Sequence, residues 1–254
     1  MRGLADRSAE RVERFRWGTS LLTPSLPHVW DLNLLRVERA PLAAPARRLA
    51  AEAERRQGHA ELAHRKVTVD DETLAVRLAA GFAALGWTIQ PLVAMVHRRD
   101  PDRPAAGHHF AVEVDADAVR AFQARFLRSL ASSGEEGTVR QLLDEGARTA
   151  GATRMRHLAV LDGEEVVSAC RLYADGRTAQ VEDVGTLAEH RGSGLARATV
   201  LAAVDLARSE GHELVFLLTH EGDWPRHLYR RLGFEPVGRF YDFVRPVAGS
   251  GGRR

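Results

Sequence analysis

The chain has 254 residues, 44% of them hydrophobic and 28% charged, enough for one large domain or two small ones with ample surface to bury. Its 36 basic and 34 acidic side chains leave a formal charge of only +2, and the arginines alternate with acids, as in AEAERRQGHAE, so the one-signed face of a nucleic-acid binder is missing. No apolar run approaches the ~20 residues of a membrane helix, the N-terminal MRGLADRSAERVERFRW lacks a signal-peptide core, and the single cysteine, Cys170, rules out an internal disulfide. The expectation is a cytoplasmic protein without membrane or nucleic-acid partners.

In chain order, HVWDLNLLRVE predicts a strand, PLAAPARRLAAEAERRQG a helix, AHRKVTV a second strand, and a helix follows from Glu72. LAAGFAALGWTIQPLVAMV (Leu78 to Val96) then reads as helix, Leu-Gly-aromatic, strand. The same order returns in RHLYRRLGFEPVGRFYDFV (Arg226 to Val244), so Gly86 and Gly233 both sit where a helix ends in a left-handed residue. This weak repeat predicts two homologous units. The segment RRDPDRPAAGHH, rich in proline and charge, reads as the connection between them.

The expected boundaries are a partial unit over 1–100, a linker over 101–109, a complete unit over 110–246 and a flexible tail, VAGSGGRR, over 247–254. The second unit supplies elements that the first lacks. FAVEV predicts a strand, Asp117 to Leu130 a helix, and VRQLLDEGARTAG a helix with Gly151 past its end. MRHLAVLDGEEVVSACRLYADG predicts a hairpin turning at Asp162-Gly163. TAQVEDVGTL, a helix from Leu195 to Ser209, ELVFLLT and a helix near Asp223 complete the unit. The Leu195 helix carries Leu195, Ala198, Ala202 and Leu206 along one face.

The segment EHRGSGLARA (Glu189 to Ala198) places two glycines at the start of that helix, where an anion could sit on the helix end. A P-loop needs a lysine after its last glycine, and Lys66 is the only lysine in the chain. A dinucleotide fingerprint needs a small residue where Arg197 stands, a shorter turn than AEH allows, and an acid at the end of the next strand. What remains is R-x-x-G-x-A, with Arg191, Gly192, Ser193 and Gly194 offering backbone N–H groups to a diphosphate. The alternative is a tight turn into the helix with no ligand.

Together, VEDVGTLAEHRGSGLARA and DWPRHLYRRLGFEPVG resemble the GNAT superfamily of acyl-CoA-dependent N-acyltransferases over about Phe110 to Pro246. The resemblance implies an α/β fold with a mixed, twisted sheet flanked by helices. It implies acetyl-CoA as acyl donor, and an acceptor amine. It also implies that the backbone of Arg191, Gly192, Ser193, Gly194, Leu195 and Ala196 holds the CoA pyrophosphate. The preceding strand would then run along the pantetheine arm at Val184, Gly185 and Thr186, and Tyr229 would be the tyrosine near the sulfur. Many members carry an asparagine after the strand that ELVFLLT matches; Asp223 stands near that place and leaves the contact open. The first unit resembles a degenerate copy, because its matching turn, ERAPLAAPARR, has no glycine pair and Pro41 has no N–H to offer.

Acetyl transfer needs a deprotonated amine, a donor for the developing oxyanion and support for the leaving thiolate. In VEDVGT, Glu182, Val184 and Thr186 alternate with Val181, Asp183 and Gly185, which puts apolar valines on both faces. A β-bulge near Asp183 or Val184 would repair the pattern and free a backbone N–H as the oxyanion donor. Glu182 is the candidate general base, with Asp183 or a water as alternatives. Tyr229 is the candidate hydrogen-bond donor to sulfur, with a packed helix-end tyrosine as the structural alternative. No histidine or cysteine spacing suggests a metal, and Cys170 reads as a buried thiol. The sequence supports an N-acetyltransferase acting by direct attack, with a non-catalytic acyl-CoA sensor as the alternative, and leaves a homodimer possible.

Overall fold

The computed structural model describes residues 2–41, 43–103, 110–130 and 135–246; the expected tail and residues 104–109 of the expected linker lie outside these. The chain forms two compact units. A C-terminal unit gathers Ala94–Thr219 with Asp223–Val237, and an N-terminal unit gathers Arg2–Val93 with His220–Gly222 and the chain from Gly238 onward.

The N-terminal unit runs α1 (Arg2–Ser8), β1 (Arg11–Phe15), β2 (Gly18–Leu22), β3 (Leu34–Val37), α2 (Ala46–His59), β4 (His64–Val69), α3 (Glu72–Ala84) and the first half of β5 (Thr88–His97). β1, β2 and β3 pair antiparallel and β3 pairs parallel with β4. Phe82 of α3 lies at the centre of the core, stacked on Phe243 at 4.3 Å and surrounded by Leu35, Leu49, Val67 and Leu78.

The sequence did not predict the β1–β2 hairpin. β1 is exposed along most of its length, so RVERF shows no apolar alternation. The first unit thus gains a hairpin, while it still has no counterpart of the two long helices Ala116–Ser129 and Glu136–Ala152. HVWDL forms a short turn instead of a strand, because the buried Asn33 amide donates to the carbonyls of Leu26 and Val29 at 2.9 Å each and accepts from the Thr23 N–H at 2.7 Å. α2 starts at Ala46, five residues later than expected, after Pro45 in an extended conformation.

The C-terminal unit runs β6 (Val112–Val114), α4 (Ala116–Ser129), α5 (Glu136–Ala152), β7 (Arg154–Asp162), β8 (Glu165–Asp175), β9 (Thr178–Thr186), α6 (Leu195–Ser209), β10 (Leu214–His220), α7 (Pro225–Arg231) and the first half of β11 (Phe234–Pro246). Its strands follow the order β6–β7–β8–β9–β10–β5–β11. β6 to β9 pair antiparallel, and β9 pairs parallel with β10.

Asp115 caps α4 by accepting the Ala118 N–H at 2.8 Å. α5 continues through Gly151 to Ala152 and ends at the extended Thr153. Asp162 pairs with Glu165, so the hairpin turns at Gly163-Glu164, one residue later than predicted. α4 packs Val119 and Phe122 on Ala159, Val166 and Ala169, while α6 packs Leu195 and Ala198 on Val160 and Val167. On α6 the buried stripe continues through Ala203, Val204 and Ala207, leaving the expected Ala202 and Leu206 half-buried at its margin.

The internal repeat is real at the level of topology. The series β1–β2–β3–α2–β4–α3–β5 matches β7–β8–β9–α6–β10–α7–β11, with the same antiparallel, antiparallel and parallel pairings. Gly86 (φ 76°) and Gly233 (φ 95°) are both left-handed residues that follow the leucine C-caps of α3 and α7, Leu85 and Leu232. The second half of β11 returns to pair antiparallel with β4 of the N-terminal unit, with Tyr241 opposite Val69 and Pro246 opposite His64.

Candidate active site

The register of β9 creates the site. Its parallel ladder with β10 covers only Thr178, Ala179 and Gln180, opposite Leu214, Val215 and Phe216. From Val181 onward that edge of β9 is outside the ladder, and its backbone groups need other partners. On the other edge, Ala169 pairs with Gly185 while Arg171 pairs with Glu182. Cys170 therefore faces two residues, Asp183 and Val184, which is a β-bulge at the expected place. Asp183 takes a left-handed conformation, φ 52°, uncommon for a residue with a side chain.

The bulge also changes which residues share a face. Glu182 stands opposite Arg171 and Thr186 opposite Ser168. Those partners lie three residues apart on β8 and so point to opposite sides of the sheet. Thr186 shares a hydrogen bond of 2.9 Å with Ser168. Glu182 lies on the α4–α5 side and accepts a hydrogen bond from Gln180. The sequence pattern had grouped Glu182 with Val184 and Thr186, because strict alternation carries no information about an inserted residue. Gly185 has a steric function: a Cβ there would come within 3.0 Å of the Phe126 ring.

After β9, Arg191 to Gly194 form an exposed loop into α6. Arg191 donates through Nε to the Thr186 carbonyl at 3.2 Å, which ties the loop to the end of the strand. Gly192 (φ 83°) and Gly194 (φ 85°) are both left-handed, and a Cβ on either would meet no atom within 4 Å. The conformation thus requires glycine although the chain itself leaves open space there. No side chain caps α6, and its first helical bond runs from the Ala198 N–H to the Gly194 carbonyl at 3.1 Å. The N–H groups of Leu195, Ala196 and Arg197 precede that bond and are left for a ligand or solvent. Open space, uncapped amides and the positive end of a 15-residue helix fit a diphosphate. Arg197, which excluded the dinucleotide fingerprint, is buried and holds Asp102 at 2.7 Å.

Tyr229 lies on α7, a seven-residue helix with Pro225 in its first turn, and is 8% exposed. Its ring meets Phe234 edge-on at 6.2 Å. Burial, with the charge of Glu182 and then Cys170 adding to it, pushes the phenol above its ordinary value. Tyr229 therefore remains a protonated donor across the working pH range. Burial likewise pushes the Cys170 thiol up to about 12, and it donates to the Thr199 carbonyl at 3.4 Å. Such a thiol is not a nucleophile. Asp223 is exposed two residues before α7, and among the described residues its carboxylate makes no hydrogen bond or ion pair.

The sequence did not point to the polar cluster behind the bulge. Arg171 is 6% exposed and holds Asp183 at 2.8 Å, the Tyr173 hydroxyl at 3.2 Å and Glu145 at 3.4 Å. Burial opposes its charge, but Asp183 and Tyr173 outweigh burial and keep the guanidinium protonated. Gly146 makes room for it: a Cβ there would lie 2.6 Å from Nη2 of Arg171. An arginine inside the apolar run VVSACRLYA, and a glycine inside a helix, were the readable signals.

Beside this cluster a cleft of about 120 Å³ opens between α4, α5 and the strands. Phe122, Phe126, Leu130 and Leu142 form one wall, and Ala169, Cys170, Arg171 and Asp183 the other. Among the described residues no group of histidine, cysteine and acid side chains could hold a metal, and no helix is long and apolar enough to cross a membrane.

A bulged strand released from its neighbour, leading into a glycine loop at an uncapped helix, is an arrangement suited to a ligand that carries a diphosphate. The profile of the Acetyltransferase (GNAT) family matches residues 105–234, and the chain belongs to that family. The fold is shared with a functionally unknown conserved protein from Staphylococcus epidermidis, at TM-score 0.70 and 13% identity over 95% of both chains. A GCN5-related N-acetyltransferase from Kribbella flavida matches at TM-score 0.64 and 22% identity, over 100% of this chain and 95% of its own. A tandem GNAT protein from the clavulanic acid biosynthesis pathway matches at TM-score 0.54 and 19% identity, over 80% and 70%. No curated protein matches the sequence.

Proposed function

We propose that the protein transfers an acetyl group from acetyl-CoA to a primary amine by direct attack, in its C-terminal unit. The observation that carries this reading is the coincidence of the β9 bulge with the left-handed glycine pair at the start of α6. The backbone of Arg191 to Ala196 would hold the diphosphate, with the helix dipole contributing ~0.3–1 kcal/mol or somewhat more where partly buried. Val184, Gly185 and Thr186 would lie along the pantetheine arm, where the edge of β9 towards β10 has left the ladder. Asp223, exposed just before α7, would reach the same arm from the other side of the loop that follows β10.

Bound acetyl-CoA supplies the thioester carbonyl and a thiol leaving group. Glu182, on the α4–α5 side, accepts the amine proton directly or through water, with Asp183 as the alternative; Asp183 is already committed to Arg171 at 2.8 Å. A backbone N–H freed at Asp183–Val184 stabilises the developing oxyanion, and fixed donors of this kind are often the largest catalytic contribution. Tyr229 donates its O–H to the departing sulfur. Its phenol is a weaker acid than a thiol, so it stabilises the thiolate by hydrogen bonding rather than by complete proton transfer.

The N-terminal unit would not bind CoA at the matching turn, because Pro41 and Pro45 have no N–H to offer before α2. The test is a CoA-release assay over an amine panel, run beside acetyl-CoA-induced shifts in Tm. Release with an amine, together with stabilisation, supports the enzyme. Stabilisation without release on any amine would favour the sensor.

A further inference from the structure

The N-terminal unit has a pocket of its own, about 360 Å³ between the turn joining β1 to β2 and one face of α2. That volume is at the small end of the ~300–1,000 Å³ of ligand pockets. Arg48, Ala51, Glu52 and Arg55 line it at the i, i+3, i+4, i+7 spacing of a single helix face. Across from them lie the half-buried Phe15, Arg16 and Trp17. The Trp17 carbonyl accepts the N–H groups of Glu38 and Arg39 at 2.9 and 3.1 Å, which sets this turn beside the chain leaving β3.

The carboxylates at the pocket are already committed. Glu52 accepts from Arg55 at 2.6 Å and from Arg56 at 2.5 Å, and Arg56 also holds Glu13 at 2.7 Å. Burial works against ionisation of Glu52, but hydrogen bonds from Arg56 and Arg55 outweigh it and hold the carboxyl below its usual range. The next acid outward, Glu38, is held by Arg14 at 2.9 Å and Arg36 at 3.3 Å. Arg16 and Arg48 are left over. Among the described residues neither side chain makes a hydrogen bond or an ion pair, and the exposed Arg39 and Arg47 add charge of the same sign. Arg16 lies over the Trp17 ring, 5.7 Å from its centroid. This contact takes one face of the guanidinium and leaves the in-plane N–H groups, which fit a carboxylate or phosphate. Arg48 stands against the local electrostatics: α2 opens Ala46-Arg47-Arg48, with no acid in its first turn and no side-chain cap. The positive end of a helix dipole disfavours cations there, and an anion beside Arg48 reverses that balance.

We propose that this pocket binds a small organic dianion, a phosphate monoester or a dicarboxylate on an apolar body of about one ring, held by Arg16 and Arg48. Two uncommitted guanidiniums set the charge. The size follows from the volume, since a cavity of ~150 Å³ holds one benzene ring and 360 Å³ takes a ring with its charged groups. Phe15 and Ala51 supply the apolar surface. The N-terminal unit is then a binding module in its own right, independent of acetyl transfer.

The test is isothermal titration with phenyl phosphate and with phthalate, at pH 8, where a phosphate monoester is doubly charged, and about 0.15 M NaCl. Wild type is compared with Arg16→Ala, Arg48→Ala and Gly194→Val. One saturable site per chain is expected for each probe, with benzoate weaker by at least ~10-fold. Each arginine variant should lose ~10-fold or more in affinity, the scale of a charge-assisted hydrogen bond, and Gly194→Val should bind as wild type does. Arg48→Ala should melt no lower than unliganded wild type, because it removes a cation from the start of α2, so its lost affinity is not lost folding. Binding kept in Arg48→Ala but lost in Gly194→Val would place the anion at the glycine loop and overturn the proposal. Benzoate binding as tightly as phthalate, undiminished affinity in both arginine variants, or no saturable binding to wild type would overturn it as well.

Discussion

Gly146→Ala sets two known effects against each other. In an ordinary helix interior this change stabilises by ~0.8–1.0 kcal/mol, because alanine is the better helix former. Here the new methyl group would lie 2.6 Å from Nη2 and 3.0 Å from Cζ of Arg171. The guanidinium could move aside only by giving up Asp183 at 2.8 Å and Tyr173 at 3.2 Å. Overpacking of this kind costs ~1–3 kcal/mol, so the net change is a loss of up to ~2 kcal/mol, which lowers Tm by roughly 2–4 °C per kcal/mol in a chain of this size. The catalytic consequence is larger. Asp183 holds φ 52° with Arg171 as its anchor, and release of that anchor lets the bulge relax away from the proposed oxyanion position. Loss of one oxyanion donor costs ~10²–10³ in kcat, which bounds the effect. Differential scanning calorimetry and steady-state CoA release measure both. A variant that melts higher and keeps wild-type kcat would show that Arg171 does not hold the bulge.

Three other outcomes follow from the same geometry. Tyr229→Phe should lower kcat by ~10²–10⁴ with acetyl-CoA affinity nearly intact; unchanged turnover would remove Tyr229 from the mechanism. Cys170 should resist thiol reagents in the folded protein at pH 8 and react fully in denaturant, since its thiol is buried and held up to about 12; rapid labelling of the native protein would contradict its burial. His64, fully buried with Trp30 stacked on it at 4.6 Å, is lowered by burial to about 4. The unfolded chain binds this proton first, so stability should fall as pH drops from about 6.5 towards 4, by up to about 3 kcal/mol from this group. Urea melts at stepped pH should show that slope, and His64→Gln should flatten it; an equal slope in the variant would assign the effect elsewhere.

The glycine pair, the Leu-Gly-aromatic repeat and the need for a bulge were all legible in the sequence, because each depends on local backbone geometry. A left-handed residue at Gly86 or Gly233 leaves its mark within four positions, and two valines on opposite faces of VEDVGT reveal an inserted residue. The β1–β2 hairpin was not legible, since an edge strand with solvated side chains has no apolar period. The Arg171 cluster was hidden for a different reason. Its partners, Glu145, Tyr173 and Asp183, come from three elements, and only pairing of β8 with β9 and packing of α5 bring them together. Face assignments beyond the bulge failed for Glu182 because period-two reasoning cannot locate the slip, only require one.

The proposed function requires that a single loop, Arg191 to Ala196, holds the donor and that the turn before α2 does not. Isothermal titration of acetyl-CoA into the wild-type protein and into Gly194→Val tests both halves together. One site per chain in wild type, lost in a variant that remains folded by circular dichroism, is the predicted result. Two sites per chain, or undiminished affinity in Gly194→Val, would contradict the account.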